Sequence, residues 1–404
     1  MMMKLKNYIY GVALGAFSLT FASCYNADKE FPDYENGTTA YFAYQFPVRT
    51  LVLGNDIYDN TLDNEHKCRI WSTMGGAYGG RDAVVGIVVA DTLCNNLYFV
   101  DEGGNPAEPV RPMPQSYYNL LSNSIPYNGD SRGYVEVEFT DEFFKDPKSA
   151  ENTYVIPLVM TTVSGIDRIL TGTPREGLTP SRANTEDWDV LAKDYVLYCV
   201  KYMNPWQGKY IRRGVDNVTE NGNTTTVVRK DFTLVNTDLE HYKENPVNAN
   251  DEVCGITTKN MTQAIFPVSF NIGKDVHGNR PSQKCTLLLT FSGDNCTITS
   301  EDEDVPSTGS GEFIVKGTEK AEYKDYQWGS MNGQPVQRDI LRLSYNVTFK
   351  KGRVIGKYTV KEGNKEVEKD WILENDITIS TTDTMVVQTR ESNKKVFFSP
   401  KYVK

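Results

Sequence analysis

Histidine is nearly absent from this 404-residue chain: His66, His241 and His277 are the only three, and they lie far apart. None stands at metal-ligand spacing, and none has the partners of a nucleophilic triad nearby. His66, within the polar run Asp63-Asn64-Glu65-His66-Lys67, reads as a solvated side chain. Past the N-terminal segment, no apolar run approaches the ~20 residues a membrane-crossing helix needs. Positive charge is in deficit, with 43 Lys and Arg against 53 Asp and Glu, which speaks against nucleic acid as a partner. Helical periodicity is scarce as well; only Ser181 to Asp194 could hold one short helix. The glycine-rich Gly75 to Gly80 stretch is not followed by a helix. It therefore cradles no phosphate and reads as a hairpin or bulge. Asp302, Glu303 and Asp304 lack the spacing of an EF-hand loop, and the stretch from Glu301 to Gly311 reads as a mobile acidic loop. These absences leave no catalytic residue, no metal site and no cofactor to assign.

What is present begins at the N-terminus. Lys4 and Lys6 precede the apolar run Tyr8 to Phe17, and Phe21-Ala22-Ser23 leads into Cys24. A charged start, a short apolar core and small residues before a cysteine make a bacterial lipoprotein signal, with Cys24 as the acylated residue. Cleavage before Cys24 would take the formal net charge from −10 to −12, since Lys4 and Lys6 are lost with the leader. Acyl chains on this anchor would hold the protein at a membrane. Asp28, Glu30, Asp33 and Glu35 then form an acidic tether like the tag that sends lipoproteins to the outer cell surface.

The rest alternates with period two, as in Val135 to Phe139 and in Leu341 to Phe349. A turn at Asn221-Gly222 predicts that Val215 faces Val228, and one at Gly363-Asn364 predicts that Val360 faces Val367. Tyr195 to Val200 is continuously apolar, the mark of a strand covered on both faces. The fold class is all-β, with a β-sandwich followed by a β-barrel. The expected boundaries are a leader at 1–23, a tether at 24–36, a sandwich at 37–172, a polar connector at 173–194 and a barrel at 195–404. Cys68, Cys94, Cys199, Cys254, Cys285 and Cys296 have irregular spacing and read as buried free thiols; a turn at Gly293-Asp294 sets Cys296 opposite Phe291, not Cys285.

Blocks spread along the chain carry a resemblance. Asp82 to Asp91, Met113 to Tyr118, Gly133 to Val137 and Thr153 to Leu158 resemble the Ig-like N-terminal domain of Bacteroidetes polysaccharide-utilisation surface lipoproteins. Val200 to Tyr210, with Arg213-Gly214, resembles the lipocalin-like C-terminal domain of the same SusE-like proteins. The resemblance implies an outer-membrane, cell-surface protein that binds a glycan for a SusC/SusD-type importer without being an enzyme. The alternatives are an accessory lipoprotein that docks on the importer and binds no sugar, or serves a peptide importer, and, ranked last, a glycoside hydrolase. Sugar rings stack on aromatic faces, so Tyr323, Tyr326 and Trp328 are the candidate ligand platform. Trp206 reads as a plug in the barrel core, and Trp71 and Trp371 are the next aromatics to consider.

Overall fold

The computed structural model describes residues 34–35, 37–229, 252–273, 281–317, 324–331, 334–363, 365–392 and 396–403. Of the Lys324–Met331 and Gln334–Gln337 strands it describes the backbone alone. Nearly every element is a strand, and the order is the expected one, a sandwich followed by a barrel.

One sandwich sheet runs Arg168–Ile169, Thr39–Tyr41, Lys67–Gly75, Arg132–Phe139 and Tyr118–Leu120. The other runs Val396–Phe397, Pro47–Val52, Tyr195–Met203, Tyr154–Ser164, Val84–Val89 and Ser124–Pro126. Alternation decides what meets between them. Cys68, Ile70, Val135 and Val137 pack on Val85, Ile87, Ile156, Leu158 and Val196 in one apolar cluster.

The expected domain limits change here. Tyr195–Met203, which the expected limits assign to the barrel domain, lies inside the sandwich between Tyr154–Ser164 and Pro47–Val52. Its unbroken apolar run is explained by two cores: Val196 and Val200 face the sandwich interior, whereas Leu197 and Cys199 face a second cluster with Cys94, Leu97, Phe99 and Phe398. Nor is 173–194 a bare connector. Thr173–Pro174 pairs with Trp188–Val190, and buried Trp188 packs with Tyr195 while its indole N–H donates to the Ser181 carbonyl at 2.8 Å. The segment holds one short 3-10 turn, Thr185–Asp187.

Eight strands close the barrel: Gly208–Glu220, Glu252–Thr258, Gln263–Asn271, Ser282–Ser292, Asn295–Ser300, Ser307–Ile314, Ile340–Phe349 and Ile377–Thr389, the last pairing back on the first. Val215 faces Val228, Val360 faces Val367 and Cys296 faces Phe291, as the turn chemistry predicts. The six cysteines after Cys24 are buried free thiols. Burial pushes Cys68, Cys94, Cys199, Cys254 and Cys296 up to about 12, which keeps them inert near neutrality.

The predicted mobile loop is corrected in part. Ser307–Ile314 is a barrel strand, and its glycines are there for room: a Cβ on Gly309 would lie 2.4 Å from the Tyr345 Cβ. The acids before it are engaged, Glu301 with Lys259 and Asp302 with Arg353 at 3.3 Å.

Buried Arg390 rivets the two domains. Its guanidinium donates to the carbonyls of Leu53 and Asn55 on the sandwich side, and to those of Asn204 and Gln207 at the barrel's start.

Candidate functional site

Cys24 and Tyr323 lie outside the described residues, as do the side chains of Tyr326 and Trp328, whose backbone forms the Lys324–Met331 strand. The described residues place an aromatic platform elsewhere, on the open face of the sandwich. In Lys67–Gly75, Cys68, Ile70, Ser72 and Met74 are buried, so Arg69, Trp71 and Thr73 point away from the core. Arg132–Phe139 alternates likewise, burying Gly133, Val135, Val137 and Phe139. The register then builds a ladder on the outer face: Lys67 opposite Glu138, Arg69 opposite Glu136, Trp71 opposite Tyr134 and Thr73 opposite Arg132.

Trp71 is 46% exposed and Tyr134 36%, with ring centroids 4.7 Å apart at 50°. The Arg132 guanidinium lies over the indole at 5.4 Å and that of Arg69 over the phenol ring at 4.4 Å. Arg69 Nε also donates to Glu136 Oε2 at 3.3 Å. The cations orient the rings and leave donors and a carboxylate beside a bare apolar surface. A sugar needs that combination: ring faces for its C–H patches and polar groups for its hydroxyls. The strand ends where the chain must bend. Gly76 has φ +86°, and a Cβ there would come within 2.5 Å of the Gly37 carbonyl oxygen.

Among the described residues, the arginine–aromatic contacts inside the barrel are of another kind. Arg212, 1% exposed, donates to Asp383 and Tyr345 at 2.9 Å each and to Glu252. Its guanidinium also faces Phe266 and Phe270. Tyr345 donates to Asp383 at 2.8 Å, and Arg229 bridges Asp216 and Asp383. Burial opposes the Arg212 charge, but Tyr345, Asp383 and Glu252 outweigh it and raise its pKa. Burial, then the Asp383 charge, raises Tyr345 well above the ordinary 10. Trp206 is the core plug read from the sequence, 8% exposed and stacked on Phe291 at 3.7 Å.

Of the histidines, His66 alone is described. It is not merely solvated, since its ring lies 4.1 Å from that of Phe144. Among the described residues, no three His, Cys, Asp or Glu gather as metal ligands. No helix among them is long and apolar enough to cross a membrane. Trp71 was recognised in the sequence but its partners were not. Tyr134, Arg69, Arg132 and Glu136 become legible only once the register is known.

Residues 34–167 match a family described as "-like, N-terminal domain", and residues 205–391 match a domain of unknown function, DUF5627. The second match begins just before the barrel's first strand. A search of curated proteins finds no match. The crystal structure of a structural-genomics protein of unknown function from Bacteroides ovatus is similar, at 34% identity and a TM-score of 0.72, covering 92% of this chain and 100% of that one. At that identity over nearly its whole length, the chain belongs to the same family as the Bacteroides ovatus protein, joining the N-terminal domain family to DUF5627.

Proposed function

We propose that this protein is a surface lipoprotein, anchored through Cys24 in the outer membrane, that captures oligo- or polysaccharide for a SusC/SusD-type importer. The observation that carries the reading is the exposed Trp71–Tyr134 pair with guanidinium and carboxylate groups on its flanks. Such a face suits passive binding. Stacking holds a chain, and tethering near the importer raises its local concentration. The acidic tether and the Bacteroides relative support the same placement.

The test is an affinity-gel and glycan-array screen of the soluble form starting after Cys24, followed by titration with a retained glycan. Trp71→Ala should lose about 1–3 kcal/mol of affinity, roughly ten- to a hundredfold, with little change in melting temperature. Full affinity in this variant would remove the face from the site. If no glycan binds while the importer still co-purifies, the accessory docking role replaces this one. The anchor is tested separately. Cys24→Ala should abolish incorporation of a fatty-acid label, and label persisting on the variant would refute acylation there.

A further inference from the structure

Beside the Arg390 rivet, the seam between the two domains holds a cavity of about 310 Å³. One wall is the sandwich loop that carries Asp56, Ile57 and Tyr58, and the other is the barrel rim at Lys316, Arg338 and Asp339. Domain interfaces and the mouths of β-barrels are favoured places for ligand sites, and this volume is at the small end of their range. The walls are fixed before any ligand arrives. Arg390 Nη1 donates to the Asn55 carbonyl at 2.9 Å, and the Lys316 ammonium donates to the Asp56 carbonyl at 3.1 Å. Asn60 Nδ2 braces the same loop through the carbonyls of Val52 and Gly54, at 2.8 and 2.6 Å.

Two polar groups of the barrel rim lack the partners that their burial calls for. Asp339 is 6% exposed. Its Oδ1 accepts from the Lys316 amide at 2.7 Å, whereas no described donor reaches Oδ2. Burial raises the Asp339 pKa against the Lys316 amide and the charges of Lys316 and Arg390. Arg338 donates through Nη1 to the Gln388 carbonyl at 3.2 Å, but its Nε is buried without a partner. Buried polar groups are almost always matched, so an unmatched carboxylate oxygen and an unmatched N–H on one cavity wall point to a missing partner. At the rim, Tyr58 is 49% exposed and has no hydrogen bond or ring contact among the described residues. Trp371, by contrast, packs against the barrel core. Charge is balanced across the lining, with Lys316, Arg338 and Arg390 against Asp56, Asp339 and Glu391, so a ligand with net charge gains little there.

We propose that this interdomain cavity binds the end of a neutral saccharide chain, with a sugar ring against Tyr58 and hydroxyls directed to Asp339 and Arg338. A hydroxyl is the group that donates to a carboxylate and accepts from a guanidinium with the same oxygen. The cavity is too small for a long chain, so it takes a terminal unit, whereas the flat Trp71 face suits chain interiors. The proposal rests on the glycan reading above and adds a second site to it. The two sites share no residue and can fail independently.

The experiment titrates the soluble mature chain by calorimetry with glucose, galactose, mannose, xylose, arabinose and their disaccharides. Glucuronate, glucosamine and alanine are the charged controls. At least one neutral sugar should bind with a Kd below about 1 mM, and added salt should leave that value unchanged. Tyr58→Ala should weaken this binding about tenfold, a loss typical of a stacked ring, with little change in melting temperature. Asp339→Asn keeps the acceptor for the Lys316 amide, so it should weaken binding at least as much while the melting temperature holds. Trp71→Ala should leave the affinity for the small sugar intact. The proposal is overturned if no neutral sugar binds, if any charged control binds more tightly than every neutral sugar, or if both Tyr58→Ala and Asp339→Asn keep full affinity. Should Asp339→Asn not fold, Tyr58→Ala decides alone. If Trp71→Ala loses polysaccharide while the small sugar ignores both cavity variants, this site falls and the platform stands; the reverse pattern removes the platform and leaves this site.

Discussion

The molecule sets guanidinium groups against aromatic rings in two places, with opposite consequences. On the sandwich face, Arg69 and Arg132 lie over Tyr134 and Trp71, and the rings keep a third or more of their surface in water. Inside the barrel, Arg212 faces Phe266 and Phe270, but its donors are taken by Asp383, Tyr345 and Glu252. The same side-chain chemistry holds structure together where it is saturated and can meet a ligand where it is not. The difference comes from pairing. The outer ladder leaves capacity at its edges, whereas every guanidinium nitrogen of the buried Arg212 has an acceptor, because an unpaired buried charge would be costly.

The sharpest way to break this contrast is Asp383→Ala. It leaves Arg212 and Arg229 without their shared buried carboxylate, and about 3–5 kcal/mol of stability should go, read as a large fall in denaturant midpoint. A change no larger than that of a surface substitution would show that the network is not structural.

A finer test uses alkali. The Tyr345 phenol is raised well above 10 by burial and by Asp383. Above about pH 10 the unfolded phenol gives up its proton while the folded one keeps it. The folded state then holds more protons, so stability falls as pH rises, by up to about 1.4 kcal/mol per unit for one such group. Tyr345→Phe should make the slope shallower by that share in denaturant melts between about pH 10 and 12. An unaltered slope would mean that Tyr345 titrates normally.

The smallest effect belongs to the open face. Arg132→Ala should cost about 0.5–1 kcal/mol of glycan affinity, because the indole loses its orienting cation, and almost no stability. A stability loss matching that of Asp383→Ala would erase the distinction between the two arrangements.

Much of the fold was legible because two-residue alternation and turn dipeptides are local. The Val215–Val228 and Val360–Val367 pairings and the placement of Cys296 opposite Phe291 needed only a short stretch of chain each. Tyr195–Met203 shows the limit. Its apolar run announces two covered faces, yet nothing within it names the sheet, and its neighbours Pro47–Val52 and Tyr154–Ser164 come from distant chain. Ser307–Ile314 misled for a different reason. Glycine and serine look like a loop, but Tyr345 on the next strand needs the space that Gly309 leaves. The platform was half visible. Trp71 could be suspected alone, whereas Tyr134 and the flanking charges depend on a pairing that no local signal encodes.

The path of the chain through the sandwich also constrains the order in which the protein can assemble. Pro47–Val52 has Tyr195–Met203 on one side and Val396–Phe397 on the other, and Lys401–Tyr402 joins Leu97–Val100 only after the barrel has been traversed. As the chain folds, the first domain must therefore wait with unsatisfied strand edges until later sequence joins it, the condition under which β-chains pair wrongly. Its folding should be slow and governed by these distant contacts. Holdase chaperones that shield open edges would matter most in that interval, before residues 195–203 join, and a chain ending just after residue 172 would present an unfinished sheet.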